Sequence, residues 1–261
     1  MKRTPIQLSP ALVPAAMRPF LEDAAVFDSS CSAAARVYFL DKDSGFYLKT
    51  ASAGALRREA ELTAYFYGKG MGAEVLAYES GERDWLLTRR MAGADCIHPM
   101  YLDDPRRLCD TIAQLLRRLH ETDPTGCPVT DHTAQYLLAA ETNYRRKNYD
   151  SSLFPDNWGY ASPEAAWAMV EQNGKYLKSD TLLHGDYCLP NILLDDWRFS
   201  GFIDVDHSGV GDRHVDLFWG IWSLAFNLKT DAYRERFLDA YGRENVEEEL
   251  LRTVAAVEVF G

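Results

Sequence analysis

The stretch His184-Gly185-Asp186-Tyr187-Cys188-Leu189-Pro190-Asn191 decides how this chain is interpreted, together with an apolar segment that ends in Phe202-Ile203-Asp204. An Asp follows a His by two residues, an Asn follows that Asp by five, and a second Asp follows it by eighteen. Two carboxylates and an amide in this order form the set that a kinase-type phosphotransferase requires. Because this spacing is far more specific than an isolated His-x-Asp, it predicts a reaction class.

Each polar residue of this set has a predicted role in phosphoryl transfer. Asp186 would accept a hydrogen bond from the attacking hydroxyl and take its proton late in the reaction. Asn191 and Asp204 offer the hard oxygen ligands that suit Mg²⁺ on nucleotide phosphates. His184 is interpreted as a packed residue that orients the backbone rather than as a chemical group.

Short strands are predicted on both sides of the motif, and long helices elsewhere in the second part of the chain. From about Gly93 onward, apolar residues recur at helical spacing. The first helix begins at Asp103-Asp104-Pro105, since proline is favoured at the first helical position. The further helices are predicted at 134–146, 163–177, 212–224, 232–241 and 246–259, and the strands at 181–183, 192–194 and 199–203.

The first part of the chain is instead rich in predicted strands. Residues 36–40 and 46–49 form a hairpin across a polar turn that contains glycine. Residues 75–78 and 85–88 add two strands, and 57–67 has the pattern of a helix that ends at glycines. We therefore expect a small mixed sheet with one helix.

The change of pattern near Gly93 predicts an α+β fold of two lobes with a cleft between them. A small β-sheet lobe, residues 1–93, would bind the nucleotide and end in a hinge. A larger, mainly helical lobe, residues 94–261, would hold the catalytic and substrate-binding groups. A chain of 261 residues is long enough to bury such a core without disulfides.

Composition and charge argue against several other classes of protein. The net charge of −11 disfavours a phosphate-backbone partner, so we expect no nucleic acid, while it permits a cationic substrate. Five scattered cysteines without a Cys-x-x-Cys pair indicate free thiols in a reducing compartment. Without a signal-peptide core or a run of transmembrane length, the expected location is the cytoplasm, with no membrane partner.

A kinase-type site also needs a cation for the phosphates, supplied from a strand and paired with a helix Glu. Lys49 ends the return strand of the predicted hairpin, and Glu59 stands ten residues later, at the start of the helix. Glu61 is a rival for this pairing but would point to another face of the helix. The segment before the strand 36–40, where a phosphate loop would lie, has no glycine, although its Ser32 hydroxyl could still approach a phosphate.

These motifs, with Ser200-Gly201-Phe202-Ile203-Asp204 and Gly211-Asp212-Arg213-His214-Val215-Asp216, resemble the aminoglycoside 3'-phosphotransferase family. The resemblance extends over essentially the whole chain. It implies a protein-kinase-like fold and the phosphorylation of a drug hydroxyl with MgATP or MgGTP, which gives antibiotic resistance. A monomer or homodimer is expected.

The resemblance assigns the chemical roles by matched position. Asp186 would be the catalytic Asp, and Asn191 with Asp204 the Mg²⁺ ligands. Lys49 and Glu59 would be the pair that meets the nucleotide phosphates.

It also implies residues that hold the nucleotide base and the catalytic loop. Tyr47 would stack on the adenine, and residues 87–93, which include Arg89 and Met91, would form the hinge that reads the base edge. Asp216 would brace the catalytic loop, although it could equally be an ordinary charge at a helix N-terminus.

Substrate-binding residues are implied as well, because the family lines its acceptor site with carboxylates that pair with ammonium groups of the drug. In this chain the segment 222–228, where acids are expected, is mostly apolar. A kinase for another small-molecule hydroxyl, such as an amino alcohol or a sugar, therefore stays an alternative, as does a non-catalytic nucleotide-binding homologue. The implied substrate-binding residues are Asp156, His207, Glu258, Phe260 and Gly261.

Overall fold

The structure, a computed structural model, describes residues 3–30, 35–149 and 159–261. The chain divides into two compact units. One consists of Met1–Ala94 with Leu193–Asp206, and the other of Asp95–Ile192 with His207–Gly261. Among the described residues, no helix is both long enough and apolar enough to cross a membrane.

Strands dominate the first part of the chain and helices the second. The strands are β1 (Thr4–Pro5), β2 (Ala25–Asp28), β3 (Arg36–Asp41), β4 (Phe46–Ser52), β5 (Val75–Ser80), β6 (Arg83–Arg89), β7 (Ala94–Asp95), β8 (Thr181–Leu183), β9 (Ile192–Asp195), β10 (Arg198–Phe202) and β11 (Gly209–Gly211). The α-helices are α1 (Arg57–Gly68), α2 (Pro99–Leu102), α3 (Pro105–His120), α4 (His132–Arg146), α5 (Pro163–Asn173), α6 (His214–Leu228), α7 (Arg234–Tyr241) and α8 (Glu248–Glu258). Short 3-10 helices include Pro10–Leu12, Ala15–Phe20, Leu189–Asn191 and Val205–His207.

The sheet of the first unit has the strand order β1-β2-β3-β4-β6-β5. The expectation of a mixed sheet is wrong, because every adjacent pair among these described strands is antiparallel. The reason lies in the connections. Short turns join β3 to β4 and β5 to β6, and strands joined by such short turns pair antiparallel. The crossover through α1 carries the chain from β4 to β5, but β6 lies between those two strands.

Alternate residues of β4 face opposite sides of the sheet. Phe46 and Leu48 belong to a core cluster that also contains Met17, from the second of the N-terminal 3-10 helices. Tyr47 and Lys49 therefore face the other side, and both are only partly buried. This alternation directs the Lys49 ammonium away from the core of the sheet.

The second unit is mainly helical. Helix α3 packs on α7 and α6, while α5 and α6 pack on α8. Strands β8 and β11 of this unit form an antiparallel pair. The small sheet with the order β10-β9-β7 consists mainly of residues of the first unit. An antiparallel N-terminal sheet with one helix, followed by a helical region, confirms the predicted α+β class.

The predicted helices of the second part of the chain are present, but several of their ends differ in the structure by one to four residues. The helix predicted at 163–177 ends at Asn173 and continues as the 3-10 helix Gly174–Tyr176. The helix predicted to start at 212 starts at His214, because the Asp212 carboxylate caps the turn before it and accepts from the His214 N–H at 2.9 Å.

Candidate active site

Asp186 lies in the loop between β8 and the 3-10 helix Leu189–Asn191. The Asn191 amide donates from Nδ2 to the Asp186 Oδ2 at 2.8 Å and to the Asp186 carbonyl oxygen at 3.0 Å. The backbone N–H of Cys188 donates to the same carbonyl at 2.7 Å. These contacts fix the backbone and one carboxylate oxygen of Asp186, whose residue is half-buried.

The residue before Asp186 has to be glycine. Gly185 has a φ of 83°, a left-handed backbone conformation that is unfavourable for residues other than glycine. A Cβ atom at this position would collide with the carbonyl oxygen of His207. Any larger residue would therefore displace the loop and change the direction of the Asp186 side chain.

Asp216, in the first turn of α6, braces this loop. Its carboxylate is fully buried and accepts from the backbone N–H groups of His184 at 2.7 Å and Gly185 at 2.8 Å. Burial alone would raise the pKa of Asp216, but hydrogen bonds from His120 and from the loop backbone outweigh it and hold the pKa below its usual range. The carboxylate is therefore ionised and fixed, which favours the bracing role over an ordinary helix charge.

His120, at the end of α3, connects Asp216 to Tyr241 of α7. Its Nε2 lies 3.2 Å from Asp216 Oδ2, and its Nδ1 lies 2.8 Å from the Tyr241 hydroxyl. Burial lowers the pKa of His120. A neutral ring with its proton on Nε2 satisfies both contacts, because it donates to Asp216 and accepts from Tyr241. Three helices thus hold the loop through one buried chain of hydrogen bonds, for which the sequence carries no local signal.

In the first unit, Lys49 pairs with Glu59 of α1. The ammonium Nζ lies 2.9 Å from Oε1 and 2.7 Å from Oε2 of Glu59, so the pair is bidentate. Glu61, the rival residue, instead pairs with Arg57 at 3.1 Å on the exposed face of the helix. The structure therefore selects Glu59 as the partner of Lys49.

Negative charge exceeds positive charge around Lys49. Asp204 Oδ1 lies 3.7 Å from Nζ, and Asp206 adds a further carboxylate to the surroundings. Burial would lower the pKa of Lys49, but the charges of Glu59 and Asp204 outweigh it and raise the pKa. Burial also raises the pKa of Glu59 against the attraction of Lys49. Three carboxyl groups around one ammonium favour an additional cation.

Asp204 of the first unit and Asn191 of the second each carry a side-chain oxygen of the kind that Mg²⁺ binds. The Asp204 side chain is 60% exposed and its backbone is left-handed, with a φ of 53°. Within the described residues, the Asn191 Oδ1 accepts no hydrogen bond, since its contacts all use Nδ2 or the backbone. No group of three or more His, Cys, Asp or Glu in that part of the chain could hold a metal. Taken separately, each of these donor types suits Mg²⁺, which usually takes few protein ligands and completes its shell with phosphates and water.

Asp84, which the sequence did not single out, anchors the start of the helix that carries Glu59. The carboxylate is fully buried and accepts from the backbone N–H of Leu56 at 2.8 Å and of Gly54 at 2.9 Å. It also accepts from the hydroxyls of Ser80 at 2.6 Å and Tyr78 at 3.0 Å. Burial opposes ionisation, but these four donors outweigh it and lower the pKa of Asp84 to about 2.

Tyr47 and the residues at the end of β6 lie in the same unit as Lys49. The Tyr47 ring contacts Phe39, with 5.3 Å between the ring centroids. Arg89 pairs with Glu74 at 2.6 Å, and Met91 packs so closely on Gly201 that a Cβ atom there would collide with its sulfur. The Met91 contact holds the segment 87–93 against β10, the strand that precedes Asp204.

Glu258, predicted to contact the substrate, lies in the same unit as Asp186. Tyr136 donates its hydroxyl to the Glu258 Oε1 at 2.6 Å, and the Trp219 indole N–H donates to the same oxygen at 3.1 Å. Burial raises the pKa of Glu258 to about 7 despite these donors, and the negative charge of Asp186 adds to the rise. This carboxyl therefore titrates near neutral pH.

The other residues predicted for the substrate and nucleotide sites have varied positions. His207 is exposed at the end of the 3-10 helix Val205–His207, and Gly261 is exposed beside Glu258. The Phe260 side chain is completely buried against Tyr144 and Trp167, so it anchors the end of the chain. Ser32 and Asp156 lie outside the described residues.

Comparisons with known proteins identify the family of this chain. Residues 30–253 match the family model described as "Phosphotransferase enzyme family". A "probable aminoglycoside 3'-phosphotransferase" of Lactococcus lactis subsp. lactis is 48% identical over 249 residues, which cover 95% of each chain.

Solved structures show the same architecture. The crystal structure of an aminoglycoside-3'-phosphotransferase of type VIII superposes with a TM-score of 0.75 and 26% identity, covering 94% of this chain and 98% of the other. An aminoglycoside phosphotransferase from Streptomyces rimosus, solved in complex with ADP and streptomycin, superposes with a TM-score of 0.73 and 21% identity, covering 97% and 99%. At 21% identity, the similarity to the Streptomyces rimosus enzyme shows a shared fold.

Proposed function

Because the chain belongs to the phosphotransferase enzyme family, we propose that it transfers the γ-phosphate of ATP or GTP to a hydroxyl of an aminoglycoside in the cytoplasm and so gives resistance to the drug. The Lactococcus lactis relative, at 48% identity over nearly the whole of both chains, supports the aminoglycoside as acceptor. The ADP complex of the Streptomyces rimosus enzyme supports a nucleotide as the donor.

The observation that carries the proposal is the fixed carboxylate of Asp186. Asn191 holds one of its oxygens at 2.8 Å, while Gly185 and the brace from Asp216 set the path of the backbone. Phosphoryl transfer needs positioning more than covalent chemistry. Asp186 would orient the acceptor hydroxyl for attack and accept its proton as the phosphorus–oxygen bond forms.

The charged cluster of the first unit would receive the nucleotide phosphates. Lys49, kept ionised by Glu59, would bind phosphate oxygens through its ammonium group. Asp204 of this cluster would bind the magnesium ion through its carboxylate, and the sequence motif implies Asn191 as a second ligand through its amide oxygen. Magnesium, when bound, neutralises charge on the β- and γ-phosphates.

The remaining assignments concern the base and the acceptor. Tyr47 would stack on the adenine, residues 87–93 with Arg89 and Met91 would read the base edge, and Ser32 would approach a phosphate. On the acceptor side, Glu258 would pair with an ammonium group of the drug, since it is a carboxyl near Asp186 in the same unit. The further acceptor contacts would come from Asp156, His207 and Gly261, whereas the buried Phe260 side chain would only anchor the segment that carries Gly261.

A coupled assay for nucleoside diphosphate release tests the proposal. We expect turnover of kanamycin B with ATP or GTP in the presence of Mg²⁺, and none of its 3'-deoxy form, which lacks the hydroxyl that a 3'-specific enzyme modifies. Equal turnover of both compounds would refute the 3'-position. Turnover of ethanolamine, choline or a simple sugar, with no turnover of any aminoglycoside, would refute the proposed acceptor class.

A further inference from the structure

One face of the sheet in the first unit carries a cross-strand row of side chains that starts at the N-terminal strand. Residues directly opposite each other on neighbouring strands share a face, and the register gives the row one member from each of β1 to β4: Pro5, Phe27, Phe39 and Tyr47. Lys49 follows Tyr47 by two residues and therefore lies on the same face. The row connects the start of the chain with the face that carries the proposed phosphate-binding lysine.

Arg3, which precedes β1, lies over the middle of this row. Its guanidinium carbon is 3.5 Å from the centre of the Phe39 ring, which is the geometry of a stacked cation–π contact. The terminal nitrogen Nη2 of the same guanidinium donates to the Tyr47 hydroxyl at 3.3 Å. Phe39 is only 1% exposed, so the guanidinium belongs to the layer that keeps water from its ring. One cation thus contacts both the buried ring and the residue that would stack on the base.

The pairing of the first two strands holds the backbone beside Arg3. Strand β1 has only two residues and pairs antiparallel with β2. The N–H of Ile6, the residue after β1, donates to the Val26 carbonyl oxygen at 3.0 Å. Chain ends are poorly ordered unless such contacts tie them down. The pairing therefore sets the place of the Arg3 backbone relative to the row, and the guanidinium adds a link from the N-terminal segment to β4.

Tyr47 gains a defined ring orientation from these neighbours. Phe39 contacts its ring from the adjacent strand, with 52° between the two ring planes. Arg3 holds the hydroxyl at the far end of the ring. Because the half-buried tyrosine is fixed at both points, it has less rotamer freedom to lose when a base stacks on it, and the binding of a base costs less conformational entropy.

We propose that Arg3 is a positioning residue of the nucleotide site, which holds the Tyr47 ring in the orientation that stacks on the base. This inference rests on the proposed function, since stacking by Tyr47 is part of it. It extends the nucleotide site to a segment that precedes the residues matched by the family model, 30–253. The guanidinium charge, on the same face as the Lys49 ammonium, suits an anionic nucleotide rather than a cationic acceptor. Because Arg3 acts through Tyr47, its removal should weaken nucleotide binding and leave the phosphoryl-transfer step unchanged.

A double-mutant cycle of Arg3→Ala and Tyr47→Phe tests this role through calorimetric titration with ADP and GDP in the presence of Mg²⁺. Tyr47→Phe keeps the ring and removes only the hydroxyl that accepts from Arg3. We expect the Kd of the more tightly bound nucleotide to rise at least about threefold in each single variant, as the loss of one hydrogen bond implies. The double variant should bind as tightly as Arg3→Ala, within about twofold, because both substitutions remove the same contact.

Kinetic constants and two control variants separate positioning from damage to the fold. In Arg3→Ala the KM for the nucleotide should rise with the Kd, while kcat at saturating nucleotide and the acceptor KM stay within about twofold. Arg3→Lys keeps a cation and a donor and should restore most of the affinity. Arg18→Ala removes an exposed arginine whose Nε donates at 2.9 Å to the carbonyl oxygen of Val13, a member of the core cluster on the opposite face of the sheet, and should leave the Kd unchanged.

Three results would overturn the inference. The first is an unchanged nucleotide Kd in Arg3→Ala. The second is a loss of affinity in the double variant that equals the sum of the two single losses, since Arg3 would then act independently of the Tyr47 hydroxyl. The third is a parallel fall in kcat and in acceptor affinity in Arg3→Ala, which would assign Arg3 to the stability of the fold alone.

Tyr47→Ala and the acceptor assay distinguish failure of this inference from failure of the proposed function. If Tyr47→Ala leaves the nucleotide Kd unchanged, the stacking role and this inference are both wrong, while the role of Asp186 in phosphoryl transfer is unaffected. If the wild type binds a nucleotide without phosphorylating kanamycin B, the proposed acceptor fails, and the cycle still decides the inference. If the wild type binds neither ADP nor GDP, both are overturned.

Discussion

Asp216→Asn tests whether the buried brace controls the catalytic loop. The substitution keeps the shape of the side chain but replaces one acceptor oxygen with an NH₂ group. The Asp216 Oδ1 accepts from the Gly185 N–H, and Oδ2 accepts from the His184 N–H and from His120. Whichever oxygen is replaced, at least one backbone N–H of the loop would face a donor.

The expected magnitudes follow from these contacts. A buried donor without a partner costs about 1–3 kcal/mol, and hydrogen bonds to the lost charge weaken as well, so we expect about 3 kcal/mol of lost stability. A loop displaced by about 1 Å would lower kcat by about a hundredfold, because in-line attack depends on the position of Asp186.

Asp212→Asn is the matched control. Asp212 is also a buried carboxylate before the first turns of α6, and it also accepts three hydrogen bonds, from the Lys178 N–H at 2.7 Å and from the N–H and Nδ1 of His214. None of these donors belongs to the Asp186 loop. We therefore expect a similar loss of stability with kcat within about threefold of wild type, since no loop contact is removed.

The assay measures kcat below the onset of melting for each variant, together with urea unfolding. If Asp216→Asn and Asp212→Asn lost the same stability and retained the same kcat, the brace would be a structural contact with no effect on catalysis. That result would refute the reasoning from the loop geometry.

Three further predictions concern charge. Lys49→Ala should raise the KM for ATP or lower kcat by at least about tenfold. The control Arg57→Ala, which removes the exposed partner of Glu61, should change neither constant, and equal effects of the two variants would argue against a phosphate role for Lys49. The pKa of Glu258, raised to about 7, predicts that the acceptor KM falls as the pH rises through 7 and the carboxyl ionises. Glu258→Gln should remove this pH dependence of the KM, and a pH dependence that persisted in the variant would show that another group titrates. Asp84 has a folded pKa of about 2 against 3.8 for the free group, so it should contribute stability above pH 3.8 that is lost as the pH falls towards 2. Asp84→Asn should be about 2 kcal/mol less stable than the wild type at pH 7, and its stability should depend less on acid pH. An unchanged acid profile in this variant would contradict the hydrogen-bond geometry.

Local sequence patterns predicted the elements that depend on interactions between residues close together in the chain. The alternation along β4 is sufficient to separate Lys49 from the core side chains Phe46 and Leu48. The start of α3 follows from Asp104, which caps the helix, and from proline at its first position. The class of fold follows from the change from strand to helix periodicity near Gly93.

Contacts between residues far apart in the chain could not be predicted in this way. The order β4-β6-β5 depends on which edge of the sheet the crossover through α1 reaches, and local periodicity does not encode that choice. Likewise, the chain from Tyr241 through His120 to Asp216 joins three helices whose residues are up to 121 positions apart. Asp84 resembles any turn residue in sequence, and only the fold reveals its four donors.

The most direct test of the central claim is the kcat of Asp186→Ala with an aminoglycoside acceptor, measured beside Asp195→Ala as a control. Asp195 is an exposed carboxylate at the end of β9, and its removal should leave kcat unchanged. For Asp186→Ala we predict a fall in kcat of about a hundredfold or more, with unchanged binding of ADP, since groups that position charge in phosphoryl transfer contribute orders of magnitude. A kcat within about tenfold of wild type would contradict the assignment of Asp186 as the residue that orients the acceptor hydroxyl.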